Sequence, residues 1–180
     1  MKKITLSGLA GSGKTTIGKL LAKKLSFEFI SLGNFARKIA KNEFNMNINE
    51  FQNYCYDHPE IDNEIDNKFK DYCNKTNNLI VDYRLGFYFI KNSLNVFLDV
   101  PENEAVNRLL KANRTSEFKK QTKDNIRKMM NKRNIQMKDR FIRIYNLDFT
   151  DKSNYDIVIN TIKYFDINEI VNIIIKNFKN

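Results

Sequence analysis

Near the start of the chain, one short stretch combines the residue types and the spacing of a phosphate-binding loop. Residues 8–15 read Gly-Leu-Ala-Gly-Ser-Gly-Lys-Thr, after an apolar run and before a helical pattern. The spelling Gly-x-x-x-x-Gly-Lys-Thr in a strand–loop–helix setting is typical of loops that bind the phosphates of a nucleoside triphosphate. Its glycines let successive backbone N–H groups turn toward phosphate oxygens, and the dipole of the following helix attracts the same anion.

Two side chains complete the chemistry of this loop. Lys14 can reach the β- and γ-phosphates, and the hydroxyl group of Thr15 can ligate Mg²⁺. We therefore predict a nucleoside triphosphate site. The candidate residues that bind the phosphates are Gly8, Leu9, Ala10, Gly11, Ser12, Gly13, Lys14, Thr15 and Thr16.

A carboxylate at the end of a later strand is a second candidate for the metal. Residues 79–82 read as a buried strand that ends in Asp82. In α/β proteins the carboxyl ends of parallel strands border the ligand-binding crevice, so Asp82 can hold a water of Mg²⁺ beside the phosphate loop. That position would make Asp82 both a metal-binding and a catalytic residue. The alternative is that it only caps a helix.

Four of the eight arginines are placed where they could bind phosphate, for which the guanidinium group is well suited. Arg84 follows Asp82 by two residues and should project into the same crevice, and Arg37 is a candidate for a second phosphate. Arg133 and Arg140 are seven residues apart, which is two turns and roughly 10 Å along one helix face. A mobile helix could close them over the triphosphate. The alternatives are a solvated Arg37 and a lysine-rich, solvated helix.

Residues 60–66 carry four carboxylates in an otherwise basic protein. The carboxylates of the first turn can complement the dipole of a helix that begins at Pro59. Asp62 and Asp66 could instead read a base amino group or a ribose hydroxyl. The residues themselves leave both interpretations open.

Hydrophobic periodicity indicates the elements that must position these side chains. Strand and helix patterns alternate, which predicts a parallel sheet with helices on both faces and ligands at the carboxyl ends of its strands. Residues 31–75 form a helical excursion, in which Asn47 with Glu50 resembles a capping box and Pro59 suits a helix N1 position. A long charged helical pattern runs from about 117 to 145. The predicted strands are residues 2–7, 27–31, 79–82, 96–100 and 155–160.

Size and composition suit one compact domain over residues 1–180. No apolar run is long enough to span a bilayer, and the first residues lead straight into a strand, so a soluble cytoplasmic protein is expected. Cys55 and Cys73 fall on apolar helix stripes and are expected to be buried, reduced thiols. The net charge of +10 comes mostly from scattered lysines, so it predicts neither a membrane nor a specific nucleic-acid partner.

These residues resemble the cytidylate kinases of the archaeal type, within the nucleoside monophosphate kinase family of P-loop kinases. The resemblance covers nearly the whole chain, and the Pro-Glu-Ile-Asp stretch and the arginine spacing are its specific motifs. The matching stretches are residues 8–15, Ser31-x-Gly33 with Arg37, Pro59-Glu60-Ile61-Asp62-x-x-Ile65-Asp66, Asp82-x-Arg84-Leu85, Arg133 to Arg140 with Tyr145-x-Leu147-Asp148, and Tyr155-Asp156-x-Val158-Ile159-Asn160-Thr161.

The resemblance implies a three-layer α/β/α P-loop fold with a five-stranded parallel sheet in the order 2-3-1-4-5. A helical insertion at residues 31–75 would bind the acceptor nucleotide, and a helical lid at residues 113–148 would close over it. ATP with Mg²⁺ would be the phosphoryl donor, and CMP or dCMP would be the acceptor. A monomer is expected.

The resemblance also implies roles for individual residues. Arg37 and Arg84 would bind the acceptor phosphate. Ser31, Asp62 and Asp66 would contact the sugar and the base. Asp148 would tie the lid to the acceptor site. The implied catalytic set is Lys14, Asp82, Arg133 and Arg140. The implied acceptor-binding set is Ser31, Arg37, Asp62, Asp66, Arg84 and Asp148.

Several residues depart from the family pattern and leave the acceptor open. Tyr83 and Phe87 stand where small residues are usual, so two bulky rings are expected to crowd the acceptor side, and His58 stands where an acid is common. One alternative is therefore another nucleoside monophosphate, or a small-molecule hydroxyl group for which Asp82 would be the base. The other is a nucleotide-responsive or RNA-associated protein without enzymatic activity, which only the basic charge favours.

Overall fold

A computed structural model describes residues 2–111 and 122–179, and a five-stranded sheet lies at its centre. The strands are β1 (Lys3–Ser7), β2 (Glu28–Ser31), β3 (Leu79–Asp82), β4 (Ser93–Asp99) and β5 (Ile157–Asn160). Their order across the sheet is β2-β3-β1-β4-β5, and every neighbouring pair is parallel. The predicted fold class and strand order are confirmed.

Helices fill the connections that parallel strands require. They are α1 (Lys14–Leu25), α2 (Leu32–Glu43), α3 (Ile48–Asp57), α4 (Pro59–Lys75), α5 (Gly86–Phe89), α6 (Glu102–Lys111), α7 (Lys123–Tyr145) and α8 (Ile167–Lys179). Helix α5 and a 3-10 turn at Lys152–Asn154 were not predicted, because elements of three or four residues are too short for a periodic pattern.

Apolar side chains on both faces of the sheet produce the three layers. On one face, Ile17 of α1 and Val171 of α8 pack against Leu6 of the central strand. On the other face, Phe69 of α4 and Phe141 of α7 pack in one buried cluster with strand β3. Strand β1 is buried along its whole length, so its carboxyl end presents the phosphate loop from a rigid base.

The helical excursion between β2 and β3 forms a small core of its own. Phe51, Cys55 and Ile65 are buried together there. The Asn47 side chain accepts the Glu50 backbone N–H at 3.0 Å, and the Glu50 carboxylate accepts the Asn47 N–H at 2.8 Å. This arrangement confirms the predicted capping box, and Pro59 occupies the predicted first turn of α4.

Helix α7 has a thin apolar seam that contacts two different partners. Ile126 and Met130 are buried against α6, whereas Met137 and Phe141 belong to the core under the sheet. The helix thereby bridges the edge of the domain and the helical excursion. It supplies most of the predicted lid, but residues 113–121 of that prediction lie outside the described residues.

Both cysteines are buried and free, as predicted, on α3 and α4. Within the two described ranges, no helix has the length and apolar character that a membrane-spanning segment needs.

Candidate active site

The phosphate loop connects β1 to α1 through glycines in conformations that other residues rarely adopt. Gly8 and Gly11 have φ angles of 138° and 80°. A Cβ atom on Gly8 would lie 2.4 Å from the Leu98 carbonyl oxygen, and one on Gly11 would lie 2.6 Å from the Ala105 carbonyl oxygen. Glycine is therefore required at both positions for conformation and for space.

Lys14 is held directly over this loop. Its Nζ donates hydrogen bonds to the carbonyl oxygens of Gly8 at 2.7 Å and Leu9 at 2.9 Å. The ammonium group thus lies at the N-terminal end of α1, where the helix dipole and the loop N–H groups attract an anion.

The two candidate metal-binding residues lie side by side. The Thr15 hydroxyl group donates to Asp82 Oδ2 at 3.2 Å, which brings the start of α1 next to the end of β3. A hydroxyl and a carboxylate are hard oxygen ligands of the kind Mg²⁺ prefers, and Mg²⁺ in such sites takes its other ligands from waters and substrate phosphates. The pair fits a magnesium ion that arrives with a nucleotide.

A group of arginines, Arg84, Arg133 and Arg140, lines the same crevice. Burial, together with the nearby charge of Arg133, lowers the pKa of the Arg84 guanidinium to about 10, and Arg140 adds to the effect. The Nε atom of Arg84 is buried and has no hydrogen-bond partner among the described residues. Clustered, desolvated guanidinium groups repel one another, so this arrangement favours binding of a multiply charged anion.

Helices α4 and α7 meet through an ion pair between Asp62 and Arg140. Asp62 Oδ2 lies 2.8 Å from Arg140 Nε, and the two side chains are 13% and 14% exposed. Burial raises the pKa of Asp62 to about 6, although Arg140 acts in the opposite direction. One turn along, Asp66 Oδ2 accepts the Tyr145 hydroxyl at 2.7 Å, and burial also raises the pKa of Asp66.

One cavity of about 670 Å³ joins the phosphate loop, the metal candidates and these arginines. Of the predicted site residues, the loop residues Gly8, Leu9 and Ser12 are absent from its lining, and so is Asp148. The predicted residues that line it are Ala10, Gly11, Gly13, Lys14, Thr15, Thr16, Ser31, Arg37, Asp62, Asp66, Asp82, Arg84, Arg133 and Arg140.

Asp148 contacts helix α7, which belongs to the predicted lid. Its carboxylate pairs with Lys138 of α7 at 2.7 Å and accepts the Thr150 hydroxyl at 2.6 Å. It therefore joins α7 to the segment that follows it, outside the cavity lining.

The rings of Tyr83 and Phe87, both expected at the acceptor side, have different positions. Tyr83 lines the cavity but is only 2% exposed, because its ring stacks on Phe89 at 5.8 Å. Phe87 is not among the lining residues, since its ring packs edge-on against Tyr155. The expectation that Phe87 crowds the acceptor side was wrong, because the short helix α5 turns this side chain into the core.

His58 joins α3 to α4, as expected for a residue in the turn before Pro59. Its ring lies 4.3 Å from that of Tyr54, and its Nδ1 lies 3.3 Å from Glu60 Oε1.

Sequence reasoning missed four polar residues of the lining: Lys19, Asn34, Gln52 and Arg108. Arg108 donates to the Thr161 hydroxyl at 2.9 Å, linking α6 to the loop after β5. The only sequence feature that distinguished Arg108 is that the chain contains few arginines. No sequence pattern identified Gln52 as a site residue, because it lies beside the apolar stripe of α3 and forms no motif with its neighbours.

Comparison with known proteins points to one family. The model of a family described as cytidylate kinase-like matches residues 3–163. A cytidylate kinase from Thermococcus kodakarensis is 39% identical over 159 residues, which are 88% of this chain and 78% of that protein.

A further relative has a different name. A protein from Lacinutrix mariniflava, named S-adenosylmethionine-dependent nucleotide dehydratase, is 46% identical over 177 residues. The match covers 98% of this chain but only 36% of that protein, so this chain spans about a third of the relative's length.

Solved structures agree on the fold. Shikimate kinase from Bacteroides thetaiotaomicron has a TM-score of 0.64 to this chain at 18% sequence identity, and the match covers 99% of this chain and 98% of that one. At this identity the likeness establishes the P-loop kinase fold and nothing about the substrate.

Proposed function

The chain belongs to the cytidylate kinase-like family, and from this premise we propose that it transfers the γ-phosphoryl group of ATP to CMP or dCMP. The observation that carries the proposal is that Lys14, Thr15, Arg84 and Arg133 line the same cavity. Such a cavity has enough cationic groups for two phosphate-bearing ligands.

In the proposed reaction, the acceptor phosphate is itself the nucleophile. One of its oxygens forms a bond to the γ-phosphorus, the bond from the γ-phosphorus to the β–γ bridging oxygen breaks, and ADP leaves. Because the attacking oxygen is already anionic, no general base is needed, and the protein contributes positioning and charge neutralisation.

The roles we propose follow from position in the cavity. Lys14 and the loop N–H groups would hold the β- and γ-phosphates, and Thr15 with Asp82 would hold Mg²⁺, which neutralises charge on these phosphates when bound. Arg84 and Arg37 would hold the acceptor phosphate. Arg133, on α7 beside Arg84, would stabilise the transferring group.

Asp148 and Arg140 differ from these residues in their contacts. Because Asp148 contacts Lys138 of α7, we propose that it positions this helix rather than touching the acceptor. Arg140 is engaged with Asp62 of α4.

The dehydratase name of the Lacinutrix relative belongs to a whole protein, of which this chain spans about a third. What the two relatives' names share is a nucleotide substrate, which agrees with the phosphate loop and the arginines. Phosphoryl transfer is the reaction for which this segment has the residues.

A substrate panel tests the proposal directly. ADP release would be measured with ATP and Mg²⁺ against CMP, dCMP, UMP, AMP and GMP, one at a time. We expect turnover with CMP or dCMP well above the others. A flat panel near the background rate of ATP hydrolysis would contradict the proposal, and hydroxyl acceptors would then be tested.

Replacement of Asp82 by asparagine tests the metal role of this carboxylate. The expected result is a loss of about 10- to 100-fold in kcat that is partly recovered at high Mg²⁺ concentration, because an amide oxygen is a weaker ligand than a carboxylate. The titration of activity with Mg²⁺ is the measurement. A near-total loss that Mg²⁺ does not relieve would instead indicate a base that activates a hydroxyl acceptor.

A further inference from the structure

We infer that Arg143 of α7 is a positioning residue for the acceptor. Its guanidinium group holds the C-terminal end of α3, and α3 forms part of the cavity wall, so Arg143 sets the affinity for the acceptor without touching it. The inference rests on the proposed function, because the measured quantity is the binding of the acceptor in the same cavity.

Arg143 holds the end of α3 through two contacts with one residue. Its Nη2 atom donates to the carbonyl oxygen of Tyr56 at 2.9 Å, and its guanidinium carbon lies 4.7 Å from the centroid of the Tyr56 ring. Helix α3 ends at Asp57, so this carbonyl is one of the last four, which lack the usual partner within a helix. A cation at that end also complements the helix dipole, and a guanidinium can donate a hydrogen bond and stack on a ring at the same time.

Helix α3 supplies part of the wall of the cavity. Phe51, Gln52 and Cys55 of this helix line the cavity. Helices α3 and α7 also border a smaller cleft of about 20 Å³, to which α3 contributes Gln52 and Tyr56. Because side chains do not fill this cleft, the contact between Arg143 and Tyr56 is one of those that fix the distance between the two helices.

Helix α7 is itself held in both of its halves. In the first half, Met130 is buried against α6, and the Asn131 side chain donates to Glu102 of α6 at 3.0 Å. In the second half, Phe141 belongs to the core under the sheet. A helix that is fixed to two separate parts of the domain is a rigid support, and Arg143 connects α3 to this support.

Arg143 differs in position from two other arginines of α7. Arg133 and Arg140 line the cavity, whereas Arg143 lines neither the cavity nor the smaller cleft. Arg143 follows Arg140 by three residues, so the two lie on neighbouring turns of the helix, where one holds α3 and the other pairs with Asp62 of α4. Replacement of Arg143 therefore leaves the groups that line the cavity in place and changes how α3 is held.

Arg143→Met tests the inference, with Lys132→Met as the control. Lys132 is exposed on the same helix and lines neither space, so its replacement removes an equal charge without releasing α3. The measurement is steady-state ADP release with the best acceptor of the substrate panel. Arg143→Met should raise the KM for the acceptor about fivefold and leave kcat and the KM for ATP within about twofold, because the groups that transfer the phosphoryl group are intact. Lys132→Met should leave all three values within about twofold.

Further variants of this contact separate positioning from a general loss of structure. Arg143→Lys keeps the charge and a donor but not the planar group, so its KM for the acceptor should lie between those of wild type and Arg143→Met. Tyr56→Leu removes the ring and keeps the carbonyl group. Because ring and guanidinium belong to one contact, the KM increases of Tyr56→Leu and Arg143→Met, multiplied together, should exceed the increase in the double variant.

Hydrogen exchange of the ligand-free protein reports on α3 without catalysis. In Arg143→Met, the backbone amides in the last turn of α3 should exchange about threefold faster than in wild type or more, whereas those of α1 should not change. Unchanged exchange there, or an unchanged KM for the acceptor, would contradict the inference and leave the kinase proposal standing. A higher KM for both substrates together with a large fall in melting temperature would also contradict it, since general destabilisation gives that pattern.

Failure of the proposed function has a different signature. If wild type phosphorylates no nucleoside monophosphate, the kinase proposal fails, and the role of Arg143 in acceptor binding fails with it.

Discussion

Lys14→Ala is expected to reduce kcat/KM for phosphoryl transfer about 10³-fold, equivalent to roughly 4 kcal/mol of transition-state stabilisation. Lys14 lies over the phosphate loop with its Nζ 2.7 Å from the Gly8 carbonyl oxygen. When a triphosphate binds, this is the cation that can follow the charge from the γ-phosphate to the leaving β-phosphate. Steady-state ADP release with saturating acceptor is the measurement.

The fold should survive this replacement, which makes the loss interpretable. The bonds that Lys14 donates go to loop carbonyl groups in a partly buried setting, so the melting temperature should change by only a few degrees. Lys23→Ala is the matched control, since Lys23 is exposed on the same helix and outside the cavity lining. Retention of more than a tenth of the activity by Lys14→Ala would argue against a catalytic phosphate loop.

Arg84→Met should lower kcat/KM for the acceptor by 10²- to 10³-fold without a comparable change in the KM for ATP. Arg84 is desolvated between Asp82 and helix α7, and its pKa is lowered to about 10 by burial and by Arg133. A guanidinium in this position can bind the acceptor phosphate with two parallel hydrogen bonds. Lysine offers only a point charge there, so Arg84→Lys should not restore activity.

Stability provides a second readout for Arg84→Met. A lowered pKa means that the folded state disfavours the charged guanidinium, so replacement by a neutral side chain of similar length should not lower the melting temperature. Arg127→Met is the control, because Arg127 lies outside the cavity lining and is paired with Asp124 at 2.8 Å. A clear drop in melting temperature together with unchanged acceptor kinetics would make Arg84 a structural residue only.

Several features of this protein were determined by short stretches of sequence. The phosphate loop depends on residues within one turn of one another, so its glycines, Lys14 and Thr15 specify their own geometry. The capping box at Asn47 and the turn at Pro59 are local for the same reason. Alternation of strand and helix patterns was enough to predict the parallel sheet, because parallel strands need helical crossovers.

Other features were decided only by the tertiary structure. Side chains that are distant in sequence meet when helices pack, so no spacing predicted that Arg140 would face Asp62, or that Asp66 would be engaged by Tyr145. The direction of Phe87 depended on the unpredicted helix α5. The sequence therefore determined the conformation of the glycine-rich loop, whereas packing between α4 and α7 decided which of their polar side chains contact one another.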